Sequence, residues 1–414
     1  MTAWPLRLSV EQQLLLACLK AAIDPEKYPL VGRWMTKRID WIGFDALAER
    51  HRVTPIVWGV LKSDLSAAGV PHAYLSSAEV RARQNAMRNL QSASTLIGLT
   101  NHLRRQGIRV MVLKGVGLAM QTYARWEKRH AGDIDLFVHQ QDLIKAASLL
   151  IAAGFRKIGP DFEPGSAKFG ILDGTRCHME FVDPDRRIRI ELHWRLARDH
   201  GSFPLSFEAA WRQRCSVKLA GSSIQTLSLP HAMLFGCYHG AVHGWHRLFW
   251  LYDMALGINR FSDKDWHTWI PSVRRMGLER PVAAALELLR IFFEVPLPSR
   301  VRQMIDASGS LGKALRNAAK LMFAFDSGPY KFFSPPNFYR LQHDWIMRKG
   351  IKERMAFVGG KIAPSLGDVT AVPLPEAVAF LYYPLKPMIW LYRKTISAIQ
   401  SIAHHTPASA GNRR

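Results

Sequence analysis

Three strand-like segments, the β-branched run Ile108–Leu113, the acid-apolar alternation Asp133–Val138 and the run Arg187–Trp194, constrain this chain more than any other feature. Such runs bury their side chains best by pairing as strands, so a helical bundle is excluded for this stretch. The first run stops at Lys114-Gly-Val-Gly117, a strand entering a glycine turn, and a short helix is expected beyond it. The second alternates acid and apolar residues at Asp133-Ile-Asp135 before turning fully apolar, as a strand with one wet end does. Leu143, Ala146, Ala147 and Leu150 then recur at helical steps, with Gly154 placed to end that helix. Cys177–Val182 and Arg187–Trp194 flank Asp183-Pro-Asp-Arg186, which reads as a hairpin turn. Residues 97–198 therefore read as an α/β core with a mixed sheet.

Both flanks read as helical. Ser9 and Gln12 have capping-box spacing ahead of Leu14–Ile23. A longer helix follows Ser77, with Met87, Leu90, Ala93 and Ile97 as its expected apolar stripe. Beyond Pro230 one helix is expected through His231–Ile258, and further helices reach about Val301. The division expected is a helical region over 1–96, the core over 97–198, a helical domain over 199–305 and a basic, proline-interrupted region over 306–414. The overall class is α+β, a mixed sheet with flanking helices between helical N- and C-terminal regions.

The chain of 414 residues carries 56 Lys plus Arg against 33 Asp plus Glu, a net charge of +23. That surplus calls for an anionic partner: nucleic acid, a nucleotide polyphosphate or an anionic membrane face. Its four cysteines are scattered with no CxxC pair, which excludes a disulfide scaffold or a thiolate zinc finger and fits a reducing compartment. No apolar run approaches the roughly 20 residues needed to cross a bilayer. The expected location is the cytoplasm.

Asp133 and Asp135, two apart on a strand, share one face and can grip the same ion. Glu191 lies on the face of its strand opposite Ile188, Ile190 and Leu192, and an acid amid apolar residues there needs a charge partner. Magnesium takes such oxygen ligands and keeps its other positions for water or phosphate. As surface acids in a basic protein, the three would carry no function.

The order of these segments resembles the DNA polymerase β-like nucleotidyltransferase superfamily. Leu113-Lys-Gly115, Arg129-His-Ala-Gly-Asp-Ile-Asp-Leu136 and Ile190-Glu-Leu-His-Trp194 are similar to the motifs of its uncharacterised bacterial branch, the NTP_transf_5-like family. The likeness continues into His239-Gly-Ala-Val-His-Gly-Trp245, Trp250-Leu-Tyr-Asp253 and, more faintly, Leu381–Pro387. It implies transfer of a nucleoside monophosphate from an NTP to an acceptor hydroxyl, with release of pyrophosphate. It further implies two magnesium ions, or manganese in their place, held by Asp133, Asp135 and Glu191. Gly115, Val116 and Gly132 would approach the nucleotide through the backbone, and Lys114 and Arg129 would meet its phosphates. The wider superfamily follows its glycine with Ser where this chain has Val116, so one phosphate hydrogen bond is missing.

Two readings stand for His239, His243 and Arg247, spaced to line one helix face: a polar seam between helices, or a contact to nucleotide or acceptor. A zinc protease site is disfavoured, because Gly240 stands where that motif needs Glu. His193 reads as a partner of the carboxylates. The segment Ala377–Tyr392 either packs back on the protein or lies peripherally on an anionic membrane, and its prolines argue against one long helix. The alternatives to an enzyme are a nucleotide-binding scaffold with a degenerate transferase core and a basic nucleic-acid-binding protein.

Overall fold

A computed structural model describes residues 7–63, 69–130, 132–159, 166–173, 176–185, 188–198, 202–325 and 334–403. Its centre is a seven-stranded mixed sheet built from β1 (Val110–Val112), β2 (Ile134–Val138), β3 (Arg156–Ile158), β4 (His178–Val182), β5 (Arg189–His193), β6 (Cys215–Leu219) and β7 (Ser222–Thr226). The strand order is β3-β4-β5-β2-β1-β7-β6. The β2–β5 and β1–β7 pairs are parallel and the others antiparallel. Val110, Val112, Ile134, Leu136, Val138, Ile190 and Leu192 fill one core together with Leu143, Ala146 and Leu150 of the covering helix. The hairpin expected between β4 and β5 is present, closed by the Asp183 N–H donating to the Ile188 carbonyl at 2.8 Å; Arg186 and Arg187 lie outside the described residues.

Five helices stand around the sheet, α1 (His72–Arg105), α2 (Gly115–Thr122), α3 (Leu143–Ala152), α4 (Leu229–Val242) and α5 (Leu248–Ile258), and α6 (Tyr382–Ala403) lies in the tail. The Ser9–Gln12 capping box forms at the head of the Val10–Ile23 helix, and Gly154 follows α3 at φ +90°.

The structure departs from the sequence reading in several places. The sheet continues past residue 198, since β6 and β7 extend it through Thr226. The first helix shares one apolar core with residues from Ala232 to Phe323, and α1 runs unbroken through residue 96. Met87 and Leu90, expected inside, are exposed; Asn85 and Asn89 are buried in their place. The helix expected over His231–Ile258 is two helices, because Gly244 and Trp245 adopt left-handed φ of +64° and +54° and turn the chain between α4 and α5. Trp245 folds back against Gly240, where any side chain would collide with the indole. That is the physical reason for glycine rather than glutamate at 240.

The tail also differs. Helix α6 is continuous through Pro387: Pro384 sits in the first turn, where an N–H has no helical partner to lose, and Pro387 costs a single hydrogen bond. It packs inward through Tyr382 and Ile389, which join Ile171, Val369 and Ala379. The Tyr382 hydroxyl donates to the Val372 carbonyl at 2.7 Å. Phe380, Met388 and Leu391 face outward, more than half exposed. Among the described residues no helix is long and apolar enough to cross a membrane.

Candidate active site

The site forms where β1, β2 and β5 end together. Parallel pairing of β2 with β5 sets Asp135 beside Glu191, and antiparallel pairing of β5 with β4 sets Glu180 on the other side of Glu191 and His178 opposite His193. On the far flank, β1 pairs with β2 and the Leu113 N–H donates to the Asp135 carbonyl at 3.1 Å. Lys114 therefore leaves the strand end directly above Asp135.

Asp135 is buried, and its Oδ1 lies 2.9 Å from Lys114 Nζ and 3.2 Å from His193 Nε2. Burial alone would raise its carboxyl, but Lys114 and His193 outweigh burial and hold it far below the usual carboxylate range. His193 Nε2 also meets Glu191 Oε2 at 3.1 Å, so one imidazole bridges two acids. Burial opposes protonation of that ring; its hydrogen bonds to Asp135 and Glu191, with the nearby Cys177 sulfur, prevail and push its pKa well up.

Asp133 stands just before β2 at the mouth of the cleft. Loss of water, then the Asp135 charge, pushes its carboxyl up to about 6 against the pull of Lys114, and it hydrogen-bonds to Glu191 carboxyl to carboxyl. Such a pair needs a proton, or a cation in its place, between like charges. Asp133 and Asp135 share the cleft wall, and Asp135 with its strand neighbour Glu191 offers oxygen donors that suit a hard divalent cation; Asp133 stands outside the tight cluster. The ligand atoms of Asp135, Glu191 and His193 lie within 4.8 Å of one another.

The glycine turn is a helix start. Lys114 is the N-cap of α2 and Gly115 takes φ +59°, so the unpaired N–H groups of the first turn head toward the cleft. Val116 is buried against the sheet. The cleft wall includes Gly115, Val116, His130, Gly132, Asp133 and Asp135.

The sequence-predicted cations divide. Arg129 is buried and donates through Nε and Nη2 to Asp253 at 2.8–3.1 Å, while the Tyr123 hydroxyl donates to the same carboxylate at 2.7 Å. Its guanidinium is thus held by α5. Arg247 begins α5 rather than continuing the face of His239; its charge, with those of Arg52, Arg88 and Arg129, adds to burial in driving His130 down to about 3. Arg52 itself is lowered to about 10 by burial and by Arg247. A cationic wall thus stands beside Asp133.

His239 and His243 lie with ring centroids 4.5 Å apart at a 48° tilt, and both rings meet Trp250 at 5.3–5.4 Å. Burial, then the Lys114 charge, pushes His239 far down, so it is a neutral ring near the carboxylates.

Sequence reasoning missed Asn85, Asn89, Arg52 and Arg88. Each of the two asparagine amides donates to both the Glu127 and Arg129 carbonyls, at 2.7–3.0 Å. Together they fix the loop that delivers Asp133. The signal in the sequence was two asparagines four apart on a helix whose apolar face was otherwise sparse.

No curated protein matches the chain. Residues 37–294, more than half of it, match the family described as uncharacterised nucleotidyltransferase, and the chain belongs to that family.

Proposed function

We propose that this protein transfers a nucleoside monophosphate from an NTP to an acceptor hydroxyl through a polymerase β-like core, with Asp133, Asp135 and Glu191 as the ligands of two magnesium ions. The observation that supports the reading is that Asp135 and Glu191 stand side by side on paired strands, with Asp133 in the same cleft wall as the helix start at Gly115. Bound magnesium supplies charge neutralisation on the phosphates and a lowered pKa for the attacking hydroxyl.

The protein's own part is positional. The first-turn N–H groups of α2 and the cations Arg52 and Arg247 hold the phosphates. Lys114 and His193 keep Asp135 ionised before the substrate arrives, and the Asn85–Asn89 clamp holds Asp133 at the cleft mouth. The acceptor oxygen bonds to the α-phosphorus, the bond from that phosphorus to the bridging oxygen breaks, and pyrophosphate leaves. The hydroxyl proton passes to solvent or to a cleft carboxylate. Because Val116 is packed inward, the missing serine hydroxyl is replaced by backbone N–H groups alone.

Calorimetry with a non-hydrolysable NTP and magnesium tests the site. Asp133→Asn combined with Asp135→Asn should abolish magnesium-dependent binding; unchanged affinity would remove both residues from it. Glu191→Gln should spare binding and lower pyrophosphate release by about 10² to 10⁴. Magnesium-dependent binding in the wild type without turnover on any hydroxyl acceptor would favour the scaffold reading. RNA affinity with a steep salt slope would favour the nucleic-acid one.

A further inference from the structure

Behind the carboxylates, on the β4–β5 hairpin, Cys177, His178 and His193 place one ligand atom each within 4.8 Å of one another. We propose that these three residues form a zinc site, distinct from the magnesium ligands and joined to them through His193. The site goes beyond the transferase reading and does not need it.

The geometry is close to what zinc requires. Cys177 Sγ lies 3.6 Å from His178 Nδ1. Tetrahedral zinc with a thiolate and an imidazole at their usual bond lengths sets those atoms about 3.6 Å apart. The hairpin register places His178 directly opposite His193, with ring centroids 4.8 Å apart. Cys177 is buried and tied to the same hairpin by its carbonyl, which accepts the Trp194 N–H at 3.1 Å.

Both imidazoles lie among carboxylates: His178 Nε2 is 3.7 Å from Glu180, and its Nδ1 is 3.9 Å from Glu191. His193 Nε2 meets Asp135 and Glu191, while its Nδ1 is buried without a hydrogen-bond partner in a residue only 4 % exposed. Carboxylates behind metal-bound histidines commonly fix the tautomer and strengthen the ligand. Thiolate and imidazole together select zinc over magnesium, which prefers oxygen. On binding, the sulfur–zinc bond forms as the Cys177 S–H proton leaves to solvent, and water fills the fourth position. Because zinc takes His193 Nδ1, the Nε2–H still reaches Asp135 and Glu191. The two sites can therefore be filled together.

The test uses the full chain stripped with chelator and titrated with cobalt, a spectroscopic stand-in for zinc. One equivalent should give tetrahedral d–d bands with a thiolate-to-cobalt charge-transfer band, both bleached by one equivalent of zinc. Cys177→Ser should abolish the charge-transfer band, and His178→Gln should weaken zinc, measured against a chromophoric chelator, by at least about 10-fold. Circular dichroism and melting confirm that each variant folds; if Cys177→Ser does not, His178→Gln decides alone. Asp133→Asn should leave zinc affinity and the cobalt spectrum unchanged, which separates this site from the nucleotide's metal. A charge-transfer band that survives Cys177→Ser in folded protein, zinc affinity untouched by His178→Gln, or zinc binding lost only in Asp133→Asn would overturn the proposal.

Discussion

Replacing Asp253 by Asn tests whether Arg129 is a structural clamp or a phosphate ligand. The ion pair is buried on both sides, with side-chain exposures of 9 % and 6 %. Asparagine keeps the shape and leaves Oδ1 to accept from Tyr123, but it removes the charge and sets an NH2 group against the Arg129 donors that Oδ2 now accepts from. A guanidinium left buried without its counter-charge costs about 3 to 5 kcal/mol. If the 414 residues unfold as one unit at about 2.1 cal/mol/K per residue, that cost lowers the melting temperature by about 3 to 6 °C. Calorimetric melts with and without magnesium and NTP measure it, and the shift induced by ligand should stay near the wild-type value. Replacing all three partners with apolar residues, Arg129→Met with Asp253→Leu and Tyr123→Phe, should recover much of the loss, because the penalty lies in the orphaned polar groups rather than in a missing attraction. An unchanged apo melting temperature combined with weaker NTP binding would refute the clamp and return Arg129 to the phosphates.

Two further substitutions probe the supports of the site and of the tail. Asn85→Ala and Asn89→Ala should each be mild, because both amides serve the same two carbonyls; the double variant orphans those carbonyls, costs about 1 to 3 kcal/mol per group, and should speed hydrogen exchange across 125–130 beyond the sum of the single changes. Asp368, fully buried, accepts from Arg393 at 2.7 Å, from the Ser365 backbone and hydroxyl at 2.7 Å and from Lys386, which hold its pKa at about 2 against an ordinary 3.8. A depressed pKa contributes stability above pH 3.8 that is lost as pH falls toward 2, here about 2 kcal/mol. Asp368→Asn should therefore quicken proteolysis of the α6 segment at pH 7 and flatten its acid dependence; equal cleavage of both proteins at pH 7 would dismiss the contact.

The sequence reveals whatever repeats at the period of its own element. Asp133-Ile-Asp135 and Ile190-Glu-Leu-His193 alternate by two, so the strands and the face of their acids are legible in the sequence. That Asp135 and Glu191 are direct neighbours was not readable from spacing, since the pairing of β2 with β5 is set by a crossover and hairpin between them. The α1 helix shows a different limit. A 3.6-residue period assigns Met87 and Leu90 to the core because apolar burial is the usual reason a helix faces inward. Here the competing demand is the loop at Glu127–Arg129, whose carbonyls would be orphaned under the helix, and asparagine amides meet that demand where methyl groups cannot. His239 and Arg247 fail to share a face for a backbone reason: two successive left-handed residues, Gly244 and Trp245, reset the helix phase, and tryptophan gives no local signal of adopting that conformation. For Glu191 and for the two asparagines the hidden partner lies far away in sequence. The support of this site lies in such long-range polar contacts, so hydrophobic period locates the carboxylates without locating what holds them.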